Sequence, residues 1–418
     1  MTTFKPFTGI SYGAKAGEYN NLICPAYDVI SEKERENLLQ KSEYNFIRIE
    51  APQGKDAYMQ AQAVLNEWLS NGILTKDSSP AFFLYQASYS VFEKTYSLRG
   101  LLGALRLPDD EKSVLTHENT FDKAKEDRLS LLKATGANTS PIYSLYDDTK
   151  GILEKKLQPI FKTEPLCGCQ VKEVYHQIWA IKDEDLIQKI TEFFTDKQIY
   201  IADGHHRYQT ALNYRDFLSE KEELSEEHPA NYIMNLLCES HCPGIAVLPT
   251  HRILKDIPNF DGEALCQAAE DYFQITHCQN LNQGRNKLFE ARRQNKNAFL
   301  LYADEEYRLF VLKNSVNIRS LIPELSDKSD AFCKLDVVVL HEIVLSMLLN
   351  LSNDQISYTR SAKEACSQVD LGDACAAVIL SAMRVNELCD IAQAGEKMPQ
   401  KSTYFYPKPV SGLVFRKD

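Results

Sequence analysis

Five consecutive residues, Asp203-Gly204-His205-His206-Arg207, combine an acid, a flexible backbone position, two imidazoles and a guanidinium. Before them, Ile199-Tyr200-Ile201-Ala202 is a short apolar run of strand-forming residues. After them, Tyr208, Ala211 and Leu212, then Tyr214, Phe217 and Leu218, recur at helical spacing. Gly204 permits the sharp turn between strand and helix. A helix start presents unpaired backbone N–H groups and the positive end of the dipole, so it suits an anion, most often phosphate. Positive side chains oppose that dipole end, so a merely solvated basic turn is the weaker reading. Gly204, His205, His206 and Arg207 are therefore the candidate phosphate clamp, with Arg207 expected to be mostly exposed. Asp203 is the candidate to hold Mg2+ or to orient a hydroxyl, and His206 joins it as a catalytic candidate.

A second unusual stretch runs from Leu115 to Ile142. A helix is expected from Phe121 or Asp122 to Thr135, with Thr120 as its cap and Gly136 ending it. His117-Glu118-Asn119-Thr120 then form the loop before it, and polar loop residues carry function more often than packing. Glu118 is the candidate base and His117 a candidate substrate contact. Lys123, Lys125 and Arg128 fall in the first two turns, and Lys125 and Arg128 share a face. They are candidates for a positive wall around phosphate, against the competing reading of a solvated charged face.

Three smaller sets complete the inventory. Tyr27 and Asp28 sit in a loop that leads to Ser31, an expected N-cap with Glu34 completing a capping box. His251 and Arg252 follow an expected strand at 244–248 and form a basic cluster at its end. Both pairs are candidate substrate contacts. Near the C-terminus, Lys397, Lys401 and Lys408 interleave with Ser402, Thr403, Tyr404 and Tyr406. Flexible tails seldom carry so many aromatics, so this segment is expected to dock. Lys401, Ser402 and Thr403 are its candidate phosphate contacts.

The elements that must position these residues alternate along the chain. Helices are expected at 31–40, 55–71, 183–194, 335–350 and 383–394, and strands near 142–145, 179–181 and 376–380. The aromatic-rich 81–107 reads as a hairpin with its turn at 92–95, and 298–313 as another. Four regions result: 1–150 with the HENT loop, 151–256 as a core with the glycine turn, 257–330 as a smaller inserted module, and 331–418 with the KSTYFYPK segment. The expected class is α/β or α+β, with mixed sheets and flanking helices.

Composition narrows the function. The 418 residues are 44 % hydrophobic and 25 % charged, ordinary for a soluble globular protein. The net charge of -11 disfavours non-specific nucleic-acid binding and makes local positive clusters more telling. Eleven cysteines without regular spacing, and no signal peptide, point to reduced thiols in a cytoplasm. No apolar run reaches the ~20 residues of a membrane span. Walker A and GxGxxG motifs are absent, and His341-Glu342 lacks a zincin's second histidine. Cys167-Gly168-Cys169 and Cys238 with His241 and Cys242 have poor zinc spacing.

The stretches PAYDVI, HENTFDKAKEDRLSLLKATGANTSPIYSLYDD, YIADGHHRYQTAL, LPTHRIL and MPQKSTYFYPKPVSGL resemble the signatures of the domain of unknown function 1015 family across nearly the whole chain. That label carries no activity. The Asp-Gly-His-His-Arg turn is also similar, over about a dozen residues, to the phosphate-binding turn of the ParB/sulfiredoxin superfamily, above all its free-serine kinases. The resemblance implies a ParB/sulfiredoxin-like core with additional modules, nucleotide phosphates on the turn, and an acidic base on a serine hydroxyl. The expected activity is phosphoryl transfer between ADP or ATP and a small hydroxylated metabolite, serine or phosphoserine, which needs clamped phosphates and an oriented hydroxyl. Mg2+ is expected from the charge of the nucleotide. The HENT, ADGHHRY and KSTYFY segments are expected to converge on one site. The expected partners are the substrate and the nucleotide, without a membrane; a homodimer is compatible. The alternatives are a metal-assisted phosphohydrolase using His117, His205 and His206, and a nucleotide-binding ParB-like regulatory switch.

Overall fold

The computed structural model describes residues 1–418 except 92, 110–111, 119–121, 400 and 418, and except the side chains of 122–124. The chain forms two compact units, one of Met1–Ala246 with Phe405–Asp418, the other of Val247–Tyr404. Segment 1–150 lies wholly in the first unit and 257–330 wholly in the second.

In the first unit the described residues build a nine-stranded mixed sheet. Its order is Val114–Leu115, Ile199–Asp203, Ile142–Tyr146, Tyr232–Glu239, Lys94–Arg106, Phe82–Val91, Val174–Ile181 and Cys167–Val171, with Phe4–Lys5 also on Lys94–Arg106. Phe82–Val91 and Lys94–Arg106 form the expected hairpin, from Phe83 opposite Leu102 to Val91 opposite Lys94. Phe92, in the expected turn, lies outside the described residues. Two pairings are parallel, Ile199–Tyr200 on Val114–Leu115 and Asn235–Glu239 on Ile142–Tyr146. Gly103 is required by close packing, because a Cβ there would lie 2.4 Å from the Phe4 ring. Helices cover the sheet with apolar faces. Glu184–Phe194, capped by Asp183, buries Ile190 and Phe194. His205–Ser219 lays Tyr208 and Ala211 on the same core as Phe4, Phe82, Trp179, Ile199 and Ile201. The expected helices at 31–40 and 121–135 are present as Glu32–Lys41 and Asp122–Thr135. Ser31 caps the former by accepting from the Glu34 N–H at 3.3 Å, whereas Thr120 lies outside the described residues.

The C-terminal segment docks on this unit, as its aromatics require. Phe405 packs on Tyr143 with ring centroids 5.6 Å apart, and Tyr406 on Tyr89 at 5.0 Å. Ser411 bridges to Cys24 and Phe415 to Ile10, and Arg416–Lys417 pairs with Ala137–Asn138.

The second unit holds a six-stranded antiparallel sheet, ordered Phe273–Cys278, Glu306–Leu312, Ala298–Ala303, Ala376–Leu380, His251–Leu254 and Ile356–Thr359. Strands from 257–330 thus share one sheet with His251–Leu254 and Ala376–Leu380. Leu300, Leu309, Ala365, Ala377 and Ile379 form its core. Three features depart from the sequence reading. His251 and Arg252 are inside a strand, because Arg252, Ile253 and Leu254 pair on both sides. Phe273–Cys278 is a strand whose mixed burial hides the alternation. The expected helix 335–350 is α-helical only at Asp336–Val339 and then π-helical over Leu340–Leu348. Among the described residues, no helix is long and apolar enough to cross a membrane.

Ending the chain at Tyr404 removes buried Phe405 and Phe415 from the first unit. At about 3 kcal/mol for each of the two buried phenylalanines, about 6 kcal/mol in all, its unfolding temperature should fall by roughly 12–24 °C. Calorimetry of full-length and shortened chains checks this; coincident transitions would show that the segment does not hold the unit.

Candidate functional site

The glycine turn is built by a strand that ends irregularly. Ile199–Asp203 pairs antiparallel with Ile142–Tyr146, and the register shifts between Ile201 and Asp203. Such a bulge re-aims the side chain that follows it. Gly204 has φ +97°, and a Cβ there would sit 3.0 Å from Nη2 of Arg207. Glycine is needed twice over, for the left-handed backbone and for the guanidinium lying against it.

Asp203 is the junction of the site. Its Oδ2 accepts from Nη2 of Arg207 at 3.1 Å, and its Oδ1 from Nζ of Lys408 at 3.0 Å. Lys408 also pairs with Asp28. Arg207 donates to the Pro141 carbonyl through Nη1, while its buried Nε has no hydrogen-bond partner among the described residues. Its guanidinium lies 6.0 Å from the Tyr27 ring, and that of Arg128 lies 4.2 Å from the same ring. Arg128 also pairs with Asp127 at 2.6 Å and donates to the Glu50 carbonyl at 2.8 Å. Burial alone would raise the Asp203 carboxyl; Lys408 and Arg207 outweigh it and hold it below its ordinary 3.8. Burial alone would lower Lys408, but Asp203 and Asp28 raise it. Arg207 follows the same pattern, burial opposing and Asp203 prevailing. Tyr27 is raised by burial, with Arg207 opposing.

The HENT loop meets this turn through His205. Nε2 of His205 accepts from the His117 backbone N–H at 3.3 Å, so its proton belongs on Nδ1, which faces Oε2 of Glu118 at 3.5 Å. The His117 and His205 rings pack edge to face with centroids 4.4 Å apart. His205 is 4 % exposed, and its ring mounts the loop on the helix start. Glu118 and His206 are half-buried. Asn119, Thr120 and the side chain of Lys123 lie outside the described residues. Lys125 is half-buried, and its carbonyl accepts from Thr210 at 3.4 Å. Beside the turn, Arg128, Asn138, Thr139, Ser140, Arg207 and Thr210 line a cleft, over an apolar floor that includes Leu131 and Ile233.

Two expectations change. Arg207 is 8 % exposed; its charge is sheltered because Asp203 and the Pro141 carbonyl satisfy it. Asp203 does not fit Mg2+: each oxygen already faces a cation, and a divalent ion there would have to displace Lys408 or Arg207. Within the first unit the tail cation at the turn is Lys408, and Lys401, Ser402 and Thr403 belong to the second unit. Among the described residues, the three ligand-capable groups that lie within 4.8 Å of one another are Asp147, Glu239 and His241, not His117, His205 and His206. His251 and Arg252 also belong to the second unit. Nδ1 of His251 accepts from the Leu380 N–H at 3.2 Å, and burial, aided by Arg285 and Arg252, lowers it to about 4. Sequence reasoning passed over Lys408 as a site residue, although the aromatics around it announce a docked segment. It also passed over Glu50, fully buried, whose carboxylate has no hydrogen-bond partner among the described residues.

Over residues 4–338 the chain matches the family described as protein of unknown function DUF1015. It belongs to that family. No curated protein matches it in sequence. Among solved structures it is similar to a free serine kinase in complex with AMP, at 14 % identity and TM-score 0.34, over 70 % of this chain and 83 % of that one. It is similar to a conserved hypothetical protein from Pyrococcus furiosus, at 13 % identity and TM-score 0.33, over 75 % of this chain and 97 % of that one. It is also similar to SbnI with a C-terminal truncation from Staphylococcus aureus, at 12 % identity and TM-score 0.35, over 74 % of this chain and 85 % of that one.

Lys408→Met should leave Asp28 and Asp203 without their shared cation. The expected loss at pH 7 is roughly 3 kcal/mol, the low end for breaking a buried pair, because Arg207 still faces Asp203. A depressed carboxyl stabilises above its ordinary 3.8 and loses that contribution as pH falls through its folded value. The raised Lys408 contributes below its ordinary 10.5 and is lost only above it. The gap between wild type and variant should therefore be full at pH 6–9 and narrow below pH 4. Urea titrations across pH measure it, and a gap that does not depend on pH would contradict the charge network. Gly204→Ala should cost about 1–2 kcal/mol from the left-handed backbone alone, read by the same titration.

Proposed function

We propose that this chain is a phosphotransferase that moves a phosphoryl group between an adenine nucleotide and a small hydroxylated metabolite, with serine and phosphoserine as the pair. The observation that carries the reading is the first unit's cleft, walled by two buried guanidiniums and by Thr139, Ser140 and Thr210 beside a helix start, with Nε of Arg207 still a spare donor among the described residues. Such a set suits phosphoryl oxygens: charge-assisted donors, Nε of Arg207 among them, and hydroxyls for orientation. Serine is supported by the likeness of the Asp-Gly-His-His-Arg turn to that of the free-serine kinases.

In this reading Arg207, Arg128 and the backbone at Gly204 to Arg207 hold phosphate. Asp203 positions Arg207 and Lys408 rather than a metal. Lys408 exchanges Asp28 for a phosphate oxygen as the nucleotide enters. Glu118 accepts the proton of the acceptor hydroxyl, and His205 fixes the loop that carries Glu118. As that O–H bond breaks, the acceptor oxygen bonds to phosphorus. The bond from phosphorus to the nucleotide's bridging oxygen breaks, and that oxygen departs with the electron pair, its charge met by the cations. Mg2+ supplies charge neutralisation when it arrives with the nucleotide.

The test mixes O-phosphoserine, ADP and Mg2+ and follows ATP and serine together. Matched formation of both is expected. Glu118→Gln should lower turnover by about 10²–10⁴, the range for a general base, while ADP still binds. Arg207→Ala should lower it by about 10²–10³ and weaken ADP binding, with a stability loss as well because the residue is buried. Inorganic phosphate released without any nucleotide requirement would defeat the proposal in favour of hydrolysis.

A further inference from the structure

The second unit contains a buried cation that no carboxylate neutralises among the described residues. Arg252, on the strand His251–Leu254, is 1 % exposed. Its Nη1 donates to the Thr250 carbonyl, and its Nε to Nε2 of His341 at 3.3 Å. Its guanidinium lies 5.4 Å from the Tyr358 ring. Its Nη2 is buried and has no hydrogen-bond partner among the described residues. All three neighbours are neutral: a carbonyl, a phenol and an imidazole that burial, then Arg252, pushes down to about 3. A buried charge left this way is costly unless a ligand completes it.

The space beside Arg252 has a definite polarity. Thr250, Arg292, Asp336, Ser381, Glu387 and Ser402 are among its lining residues. Arg292 pairs with Asp336 at 3.4 Å and also with Glu387. The pocket lining thus includes an unneutralised guanidinium, Arg252, and two carboxylates that share a second one, Arg292. His341 holds Arg252 from the π-helical segment Leu340–Leu348. Such wide turns are rare and concentrate at functional sites. Here the wide turn carries the acceptor that fixes the guanidinium, leaving Nη2 for something else.

We propose that this pocket binds a small amino-acid zwitterion, its carboxylate on Nη2 of Arg252 and its ammonium on the side of Asp336 and Glu387. Two arginines and two carboxylates sum to zero formal charge, which matches a ligand that is neutral overall and dipolar. A phosphate dianion would satisfy Arg252 but would face both carboxylates. The inference concerns binding within the second unit and stands apart from the transfer reaction assigned to the first.

Isothermal titration of the full chain with glycine, L-alanine and L-serine tests it, with L-lactate and inorganic phosphate as comparators. The amino acids should bind, and L-lactate, which lacks the ammonium, more weakly. Arg252→Met should weaken amino-acid binding at least about tenfold, the scale of a hydrogen bond to a charged group, while ADP binding is unchanged. Glu387→Gln, at a partly exposed residue, should weaken the amino acids but not L-lactate, and it carries the decision if Arg252→Met does not fold. The proposal is overturned if none of the three amino acids binds the wild type, or if both variants bind them normally. It is also overturned if inorganic phosphate binds as tightly as the amino acids and is lost in Arg252→Met.

Discussion

The first unit depends on one carboxylate held between two cations. Asp203 takes Arg207 on one oxygen and Lys408 on the other, at 3.1 and 3.0 Å. Taking such charges out of water is costly, and only close pairing with further hydrogen bonds repays it. Each partner comes from a different structural element: the end of a strand, the first turn of a helix, and a segment 205 residues further along the chain. The interaction therefore joins the sheet, the helix start and the C-terminal return in a single point. Gly204 favours it, since it adopts the left-handed backbone and a Cβ there would press on the Arg207 guanidinium at 3.0 Å.

Around that point the polar residues divide their work. His205 is buried, with Nε2 committed to the His117 backbone, so it orders the loop that presents Glu118. Arg128 and Arg207 both approach the Tyr27 ring, at 4.2 and 6.0 Å from its centroid, and each has its own carboxylate, Asp127 and Asp203. Lys408 divides itself between Asp203 and Asp28. Without a ligand the charges of Asp28, Asp203, Arg207 and Lys408 balance.

The two units repeat one device in different surroundings. In each, a buried arginine is tied to a backbone carbonyl, Pro141 for Arg207 and Thr250 for Arg252. In each, one guanidinium nitrogen has no partner among the described residues. Arg207 has a carboxylate beside it and Arg252 has an imidazole. The first arrangement restrains a charge that must coexist with other cations, and the second leaves a charge that no carboxylate meets among the described residues.

Local chemistry made the strand, glycine turn and helix at 199–219 readable from the sequence. The apolar run, the glycine and the helical spacing of Tyr208 and Ala211 each act within a few residues. The Ser31 cap, the hairpin 82–106 and the docking of the aromatic tail followed for the same reason. The strand at Phe273–Cys278 did not, because its burial pattern lacks clean alternation. Nor did the π-helical turns at Leu340–Leu348, which have the same apolar periodicity as an ordinary helix over so short a span. The residue types at the turn were set by sequence, but their exposure and partners were not. Burial of Arg207 required a carbonyl 66 residues away, and the choice of Lys408 over its neighbouring lysines required the docked path of the tail. Tertiary structure decided these, because the energy of a buried charge depends on groups that chain folding alone brings within hydrogen-bond reach.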